Sequence, residues 1–320
     1  MYMYLCISIS ILDLLVNCFC YIHIDRDGEP ILLLQITSKR YWCRGEGKAI
    51  GKMDGFGSGE ETRVVVVFDF DKTILDCDSD NWVVDQFGLS DTFRQLLLTG
   101  TPWNTLMDQM MSEIHSLGKS IGDIADCLRK ALLHPRIASA IRSAHSAGCD
   151  LRILSDANMF FIKTILEHNG LMDCFSMIYT NPSFINESGR LRILPYHDFN
   201  KSIHGCNTCP PNMCKGLIME KLMASSSTKG EELGNRFIYV GDGSADFCAG
   251  LALRAKDTLM PRKDFPVWEL VCKNQKLIKA EVHEWSDGEG LEAVLLSSIK
   301  RALISYCQHE NGNFDEPSAY

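Results

Sequence analysis

The sequence predicts an α/β protein built on a doubly wound parallel sheet, with a helical segment inserted after the first strand of that sheet. Three observations carry this prediction. Short apolar runs alternate with longer stretches whose apolar residues recur at helical spacing. Three of the runs end in polar residues: Asp69 and Asp71, then Ser155 and Asp156, then Asp242 and Asp246. A parallel sheet gathers such strand ends at one edge, where open α/β sheets bind their ligands.

The first strand is VVVVF, residues 64–68. It is mostly β-branched, unbroken and short, which fits a strand buried on both faces. Asp69, Asp71, Lys72 and Thr73 follow at its carboxyl end, and Asp76, Asp78 and Asp80 come soon after. Residues 80–133 show helical spacing only, in WVVDQF, FRQLLL, WNTLMDQMMSEIHSL and IGDIADCLRKALL. Pro102 suits a helix start and Gly118 a helix end. This insertion is expected to form a small cap over the strand's carboxyl end. Met107, Met110 and Met111 within it are expected to pack in its core.

His134-Pro135 opens a predicted helix that Gly148 closes. A strand over 150–154, a helix over 159–169 and a strand over 176–180 follow. Residues 185–194 read as a hairpin around Asn186-Glu187-Ser188-Gly189. A loop rich in Cys, Pro and Asn precedes a helix over 215–224 and a polar linker over 225–232. The strand over 237–240 ends in Gly241-Asp242-Gly243-Ser244-Ala245-Asp246. A helix, a short strand near 255–259 and an amphipathic helix over 291–305 complete the pattern. The expected division is a core of 61–79 and 134–305, a cap of 80–133 and a polar tail of 306–320.

Residues 1–60 differ in character. Residues 1–24 are strongly apolar, interrupted by Asp13 and Asn17, and close to the roughly 20 residues that span a bilayer. No positive run precedes them and no small-residue cleavage site is clear. The stretch that follows is basic, with Arg26, Lys39, Arg40, Arg44, Lys48 and Lys52. A signal anchor, a transit segment and an upstream extension all accommodate this pattern. The Gly/Ser-rich lead MDGFGSGEE into the first strand favours an extension, with a soluble, cytoplasmic core beginning near Met53. The glycines of that lead precede a strand and so do not form a dinucleotide loop.

A net charge of −9 argues against nucleic acid as a main partner. A membrane partner is expected only if residues 1–24 are an anchor. The 14 cysteines lie mostly inside helix and strand patterns, which suits reduced thiols rather than a secreted disulfide framework. His204, Cys206, Cys209 and Cys214 offer four ligands for a structural zinc ion. Against that stands one CxxC rather than two, in a proline-rich loop where thiols can serve as small apolar filler.

Three carboxylates on neighbouring loops repel one another unless a cation sits among them. Oxygen-only ligands suit Mg²⁺, with Asp69 and Asp242 as side-chain ligands and a substrate phosphate completing the shell. An ionised Asp69 could attack phosphorus. Asp71 could protonate the leaving oxygen and then activate water. Ser155 could donate to phosphate oxygens, Lys215 could neutralise developing charge, and Asp246 could orient Lys215. Thr73 could donate to Asp69 or to phosphate. The plainer readings make Asp69 and Asp71 turn residues, Ser155 a helix cap and Lys215 a solvated charge. Asp76 and Asp78 read as solvated charges, and Lys72 as a surface charge or one supporting the site.

The set Asp69-Phe70-Asp71-Lys72-Thr73, Ser155, Lys215 and Gly241-Asp242-Gly243-Ser244-Ala245-Asp246, in this order, resembles the haloacid dehalogenase superfamily of phosphatases. That resemblance implies a Rossmann-like core. It also implies Asp69 as nucleophile, Asp71 as acid/base with its backbone carbonyl on Mg²⁺, and Asp242 as a metal ligand. DFDKTILDCDSDNWVV, LSDAN, YHDF, HGCNTCPPNMCKG and MPRKDFPVWEL narrow the match to the phosphoethanolamine/phosphocholine phosphatase family over residues 64–305. The plant members are the most similar, and some of them are described as inorganic pyrophosphatases. By motif position the resemblance assigns Asp80 and Asp156 to the substrate's amino head group. It implies phosphocholine or phosphoethanolamine as substrate, with inorganic pyrophosphate and thiamine monophosphate as alternatives. A non-catalytic binding protein on the same fold is the alternative of another class. One departure lies beside the site: Phe247-Cys248-Ala249-Gly250 stands where the family usually has Cys-Pro.

Overall fold

The central sheet grows outward from β1 (Val64–Phe68), whose residues are all buried. The computed structural model describes residues 64–201, 204–225 and 234–311, together with the backbone of four short strands between 19 and 52. Alternate β1 side chains enter different cores, as a pleated strand with period two requires. Val66 and Phe68 join one apolar cluster, and Val65 and Val67 join another on the opposite face. Each such side chain contributes about 1.5–3 kcal/mol by its burial. The unbroken run of valines therefore reports a strand covered on both sides.

β1 pairs in parallel with β2 (Asp150–Asn158) on one side and with β6 (Arg236–Gly241) on the other. The sheet continues outward to β3 (Phe175–Asn181) beyond β2, and to β7 (Thr258–Pro261) and β8 (Glu281–Val282) beyond β6. The chain thus leaves β1 in both directions, and the switch point falls beside Asp69. A two-stranded hairpin, β4 (Ser183–Ile185) with β5 (Leu191–Ile193), forms where it was expected.

Between β1 and β2 come α1 (Ser79–Gln86), α2 (Ser90–Leu97), α3 (Trp103–Ser116), α4 (Ile121–Leu128) and α5 (Pro135–Ser146). The helical reading of this stretch holds, and Met107, Met110 and Met111 lie in the core. The apolar cluster runs without a break from α1–α4 into α5, into α6 (Met159–His168) and into α10 (Gly288–Asn311). The other face is covered by α7 (Lys215–Ser225), α8 (Ser244–Ala252) and α9 (Pro266–Lys273).

Four differences from the sequence reading stand out. β2 continues to Asn158, because after a shift in register Asn158 pairs with Asn181 of β3. The strand after α8 covers 258–261 rather than 255–259. α9 and the two-residue β8 were not anticipated, although Pro266 opens α9 in the position where proline starts helices. The last helix runs from Gly288 to Asn311, beyond the expected end at 305.

Residues 1–61 form a unit of their own, an antiparallel meander of Phe19–Ile24, Pro30–Ile36, Lys39–Arg44 and Gly51–Lys52. Most of the expected apolar segment, residues 1–18, lies outside the described residues. Among the described residues no helix is long and apolar enough to cross a membrane.

Candidate active site

Asp69 is placed by the sheet itself. Its backbone N–H donates to Val240 O at 2.8 Å, which carries the β1–β6 ladder one residue past the strand end. The side chain is buried. Oδ1 accepts the N–H of Phe70 at 2.7 Å, and Oδ2 lies 2.8 Å from Lys215 Nζ. Asp242 follows β6 directly, and its Oδ1 accepts the Thr73 hydroxyl at 3.2 Å. Thr73 therefore serves Asp242 rather than Asp69. Carboxylate oxygens of Asp69, Asp242 and Asp246 all lie within 4.8 Å of one another.

Asp246, in the first turn of α8, is fully buried and fully used. Oδ1 accepts Lys215 Nζ at 2.8 Å and the Tyr239 hydroxyl at 2.6 Å. Oδ2 accepts the N–H groups of Asp242 and Gly243 at 2.9 and 2.7 Å. This carboxylate is thus an organiser of the site, with its acceptor positions filled by protein donors. Gly241 makes the packing feasible, since a Cβ there would stand 2.4 Å from Asp246 Cγ. The bond from Gly243 N–H also caps α8, so the helix starts in order despite the Phe-Cys-Ala-Gly departure.

Lys215 is the first residue of α7 and is buried between Asp246 and Asp69. Burial opposes its charge, but Asp246 and Asp69 outweigh that and hold its pKa well above the ordinary lysine value. The carboxylates move the other way. Burial, then Asp246, raise Asp69 well above the usual range, with Lys215 opposing. Burial and Asp246 push Asp242 up to about 7.

Asp71 turns away from this cluster. Its carboxylate accepts the N–H and the hydroxyl of Ser79, at the start of α1, at 2.9 and 3.2 Å. Burial, Asp78 and Asp80 raise its pKa well above the usual range. Asp76 is exposed and Lys72 partly so, as expected from sequence, but each of Asp76, Asp78 and Lys72 also has a partner. Asp78 caps α1 by accepting Asn81 N–H at 3.0 Å and pairs with Lys72 at 3.5 Å. Asp76 pairs with Arg262 at 2.6 Å. The irregular loop after β1 needs these ties, because Lys72 sits at φ +54 and no ladder holds its backbone.

Ser155 is buried at the carboxyl half of β2, where its Oγ accepts Ala157 N–H at 3.3 Å. It does not cap α6. That task falls to Asn158, whose Oδ1 accepts Phe161 N–H at 3.1 Å. Asp156 lies close enough to Asp69, Lys215 and Asp80 to raise the pKa of each. Asp80, in α1, is 4% exposed. Its Oδ2 accepts the indole N–H of Trp103 at 2.7 Å, while its buried Oδ1 has no partner. Burial and Asp78 push Asp80 up to about 8, with Trp103 opposing.

Sequence reading missed Trp103. Trp82, two residues after Asp80, donates its indole N–H to Cys127 O at 3.1 Å within the helical insertion. Only the Pro102-Trp103 helix start could have drawn attention to Trp103. The four-ligand set with His204 also needs correction. Cys206, Cys209 and Cys214 converge with Cys248 of α8, and His204 is not in the group. Both His204 ring nitrogens are engaged within the loop, with Cys206 N–H at 3.1 Å and Pro210 O at 2.9 Å.

Asp69, Asp242 and Asp246 carry three formal negative charges against the single lysine they surround. Their donors are all oxygen, and burial leaves the excess charge poorly solvated. That donor set fits a hard divalent cation such as Mg²⁺.

The Putative Phosphatase family model matches residues 64–299. An Arabidopsis thaliana protein named Inorganic pyrophosphatase 2 is 52% identical over 252 residues, covering 79% of this chain and 89% of its own length. Another from the same plant, named Thiamine phosphate phosphatase-like protein, is 53% identical over 237 residues, covering 74% of this chain and 96% of its own. A Gallus gallus protein named Phosphoethanolamine/phosphocholine phosphatase is 29% identical over 269 residues, 81% of this chain and 98% of its own. The match spans every motif residue gathered at the sheet edge, and the chain belongs to the Putative Phosphatase family, phosphoric monoester hydrolases with the haloacid-dehalogenase-like fold.

Proposed function

We propose that this protein is a Mg²⁺-dependent phosphatase that carries the phosphoryl group on Asp69, with phosphocholine and phosphoethanolamine as its preferred substrates. The observation that supports the chemistry best is the Asp69–Lys215–Asp246 chain, with both Lys215 contacts at 2.8 Å. An Asp69 oxygen attacks phosphorus and the ester P–O bond breaks. Asp71, whose pKa burial, Asp78 and Asp80 raise, gives a proton to the leaving oxygen. Asp71 then takes a proton from the water that attacks the phosphoaspartate, and phosphate departs with Asp69 restored. Lys215 and the Ser155 hydroxyl hold the phosphoryl oxygens as charge develops. Asp69, Asp242 and the Asp71 carbonyl would hold Mg²⁺, which supplies neutralisation of phosphate charge. Helices α1–α4 act as the cap that limits water, and residues 1–60 are an extension ahead of the fold.

The substrate preference rests on Asp80 and Asp156. A buried carboxylate with an unpartnered oxygen, beside a second acid, suits the ammonium end of choline or ethanolamine. The 52% identity to a protein named as a pyrophosphatase favours a second reading, in which pyrophosphate is cleaved and the two acids make no head-group contact. Phosphate release with Mg²⁺ from phosphocholine, phosphoethanolamine, pyrophosphate and thiamine monophosphate separates these readings. The head-group monoesters should show the highest kcat/KM. A higher value for pyrophosphate selects the second reading, and no release from any of them selects a binding protein.

A further inference from the structure

Beside Lys215 in the chain, four cysteine sulfurs converge. Cys206, Cys209 and Cys214 belong to the loop that leads into α7, and Cys248 lies in the second turn of α8. Their Sγ atoms all lie within 4.8 Å of one another. Cys206 Sγ is 3.6 Å from Cys248 Sγ, and Cys214 Sγ is 3.9 Å from it. Four thiolates bound tetrahedrally to zinc at about 2.3 Å stand about 3.8 Å apart, so the observed spacing is that of a coordination shell. A disulfide needs its sulfurs at about 2.0 Å.

The loop and α8 are shaped around these sulfurs. Thr208 N–H donates to Cys206 Sγ at 3.4 Å. The backbone N–H groups of Lys215, Leu217 and Gly216 each favour the thiolate form of one of the others, Cys209, Cys214 and Cys248 respectively. Gly216 allows the two helices to approach, since a Cβ there would stand 2.6 Å from Cys248 Sγ and 2.9 Å from Cys248 O. Four sulfurs would complete zinc's usual four-coordinate shell, leaving no position open for a substrate, and Cys209 and Cys214 are buried. Thiolates select zinc over the hard cation suited to the acid cluster.

We propose that Cys206, Cys209, Cys214 and Cys248 bind one structural zinc ion that fastens the loop to α8. Its consequence for the active site follows from the sequence. Cys214 immediately precedes Lys215, and Cys248 lies two residues after Asp246. The zinc therefore holds the chain next to both ends of the Lys215–Asp246 ion pair, and Cys248 joins the set because the fold brings α8 against the loop.

The test is metal content of the full-length protein, produced in zinc-replete cells without a metal-binding tag. One zinc per chain, surviving exhaustive dialysis, is expected. Cys248→Ser and Cys206→Ser should lose it, and His204→Ala should keep it. Cobalt substituted for the native metal should show the intense visible bands of a tetrahedral thiolate site, a readout that does not depend on the variants folding or on phosphatase activity. Absence of zinc, iron in its place, or a disulfide among these cysteines in non-reduced peptide masses overturns the proposal. So does zinc that survives Cys248→Ser but not His204→Ala.

Discussion

Lys215 Nζ stands 2.8 Å from Asp69 Oδ2, a buried ion pair whose lysine is gripped at the same distance by Asp246. The ammonium is fixed before substrate arrives, and it needs no reorganisation as charge develops on phosphoryl oxygens. Lys215→Ala should lower kcat by about a hundredfold or more. Lys215→Arg should not rescue it, since the planar guanidinium cannot make both contacts in the space of a compact ammonium. Steady-state kinetics with saturating Mg²⁺ would measure both.

Asp246 anchors that arrangement through four hydrogen bonds. Asp246→Ala leaves Lys215 with one partner fewer and frees two backbone N–H groups, at a cost of about 3–5 kcal/mol in denaturant unfolding. Tyr239→Phe removes a single donor to the same carboxylate and should cost about 1.5–3 kcal/mol. If the two variants are equally stable, Asp246 does not have this organising role.

Asp80 gives the substrate-free protein a pH dependence of defined sign. Its folded pKa of about 8 lies above the ordinary 3.8, so the folded state keeps a proton that the unfolded chain releases. Stability at this residue is full below about pH 4 and declines as pH rises toward 8. Asp80→Asn keeps an acceptor for Trp103 and cannot ionise. It should flatten the thermal stability profile across that range and raise the melting temperature at its alkaline end. The same variant should raise KM for phosphocholine more than for pyrophosphate. An unchanged profile would mean that Asp80 is not held protonated.

Arg262 is a strut for the loop after β1. It donates to Lys72 O and to Asp76 Oδ1, both at 2.6 Å, and stacks 4.3 Å from the Phe265 ring. Arg262→Lys retains the charge but loses the fork and most of the stacking. It should lower kcat, because Lys72 follows Asp71 directly, while Mg²⁺-independent thermal stability falls only modestly. Melting curves alongside kcat would separate the two effects.

The sheet edge was legible in sequence because its signals are local. A run of valines reads as a doubly covered strand wherever it lies, and Asp69 and Asp242 each follow a strand directly. Lys215 was legible as the first residue of a helix. Contacts made across the fold were not. Trp103 meets Asp80 from another helix, and nothing in either segment marks the pairing. Cys248 looked like a helix residue of the last motif, and only the packing of α8 against the loop makes it the fourth sulfur. The turn of Asp71 toward Ser79 depends on where α1 begins, which the run of acids from Asp76 to Asp80 obscured.

The central claim is that Asp69 carries the phosphoryl group. Wild-type protein mixed with phosphocholine and Mg²⁺, quenched in acid within the first turnover and digested, should yield the peptide containing Asp69 with the added mass of one phosphoryl group. Asp69→Asn should yield none and release no phosphate. A phosphoryl group on another residue, or turnover that survives in Asp69→Asn, would contradict the account.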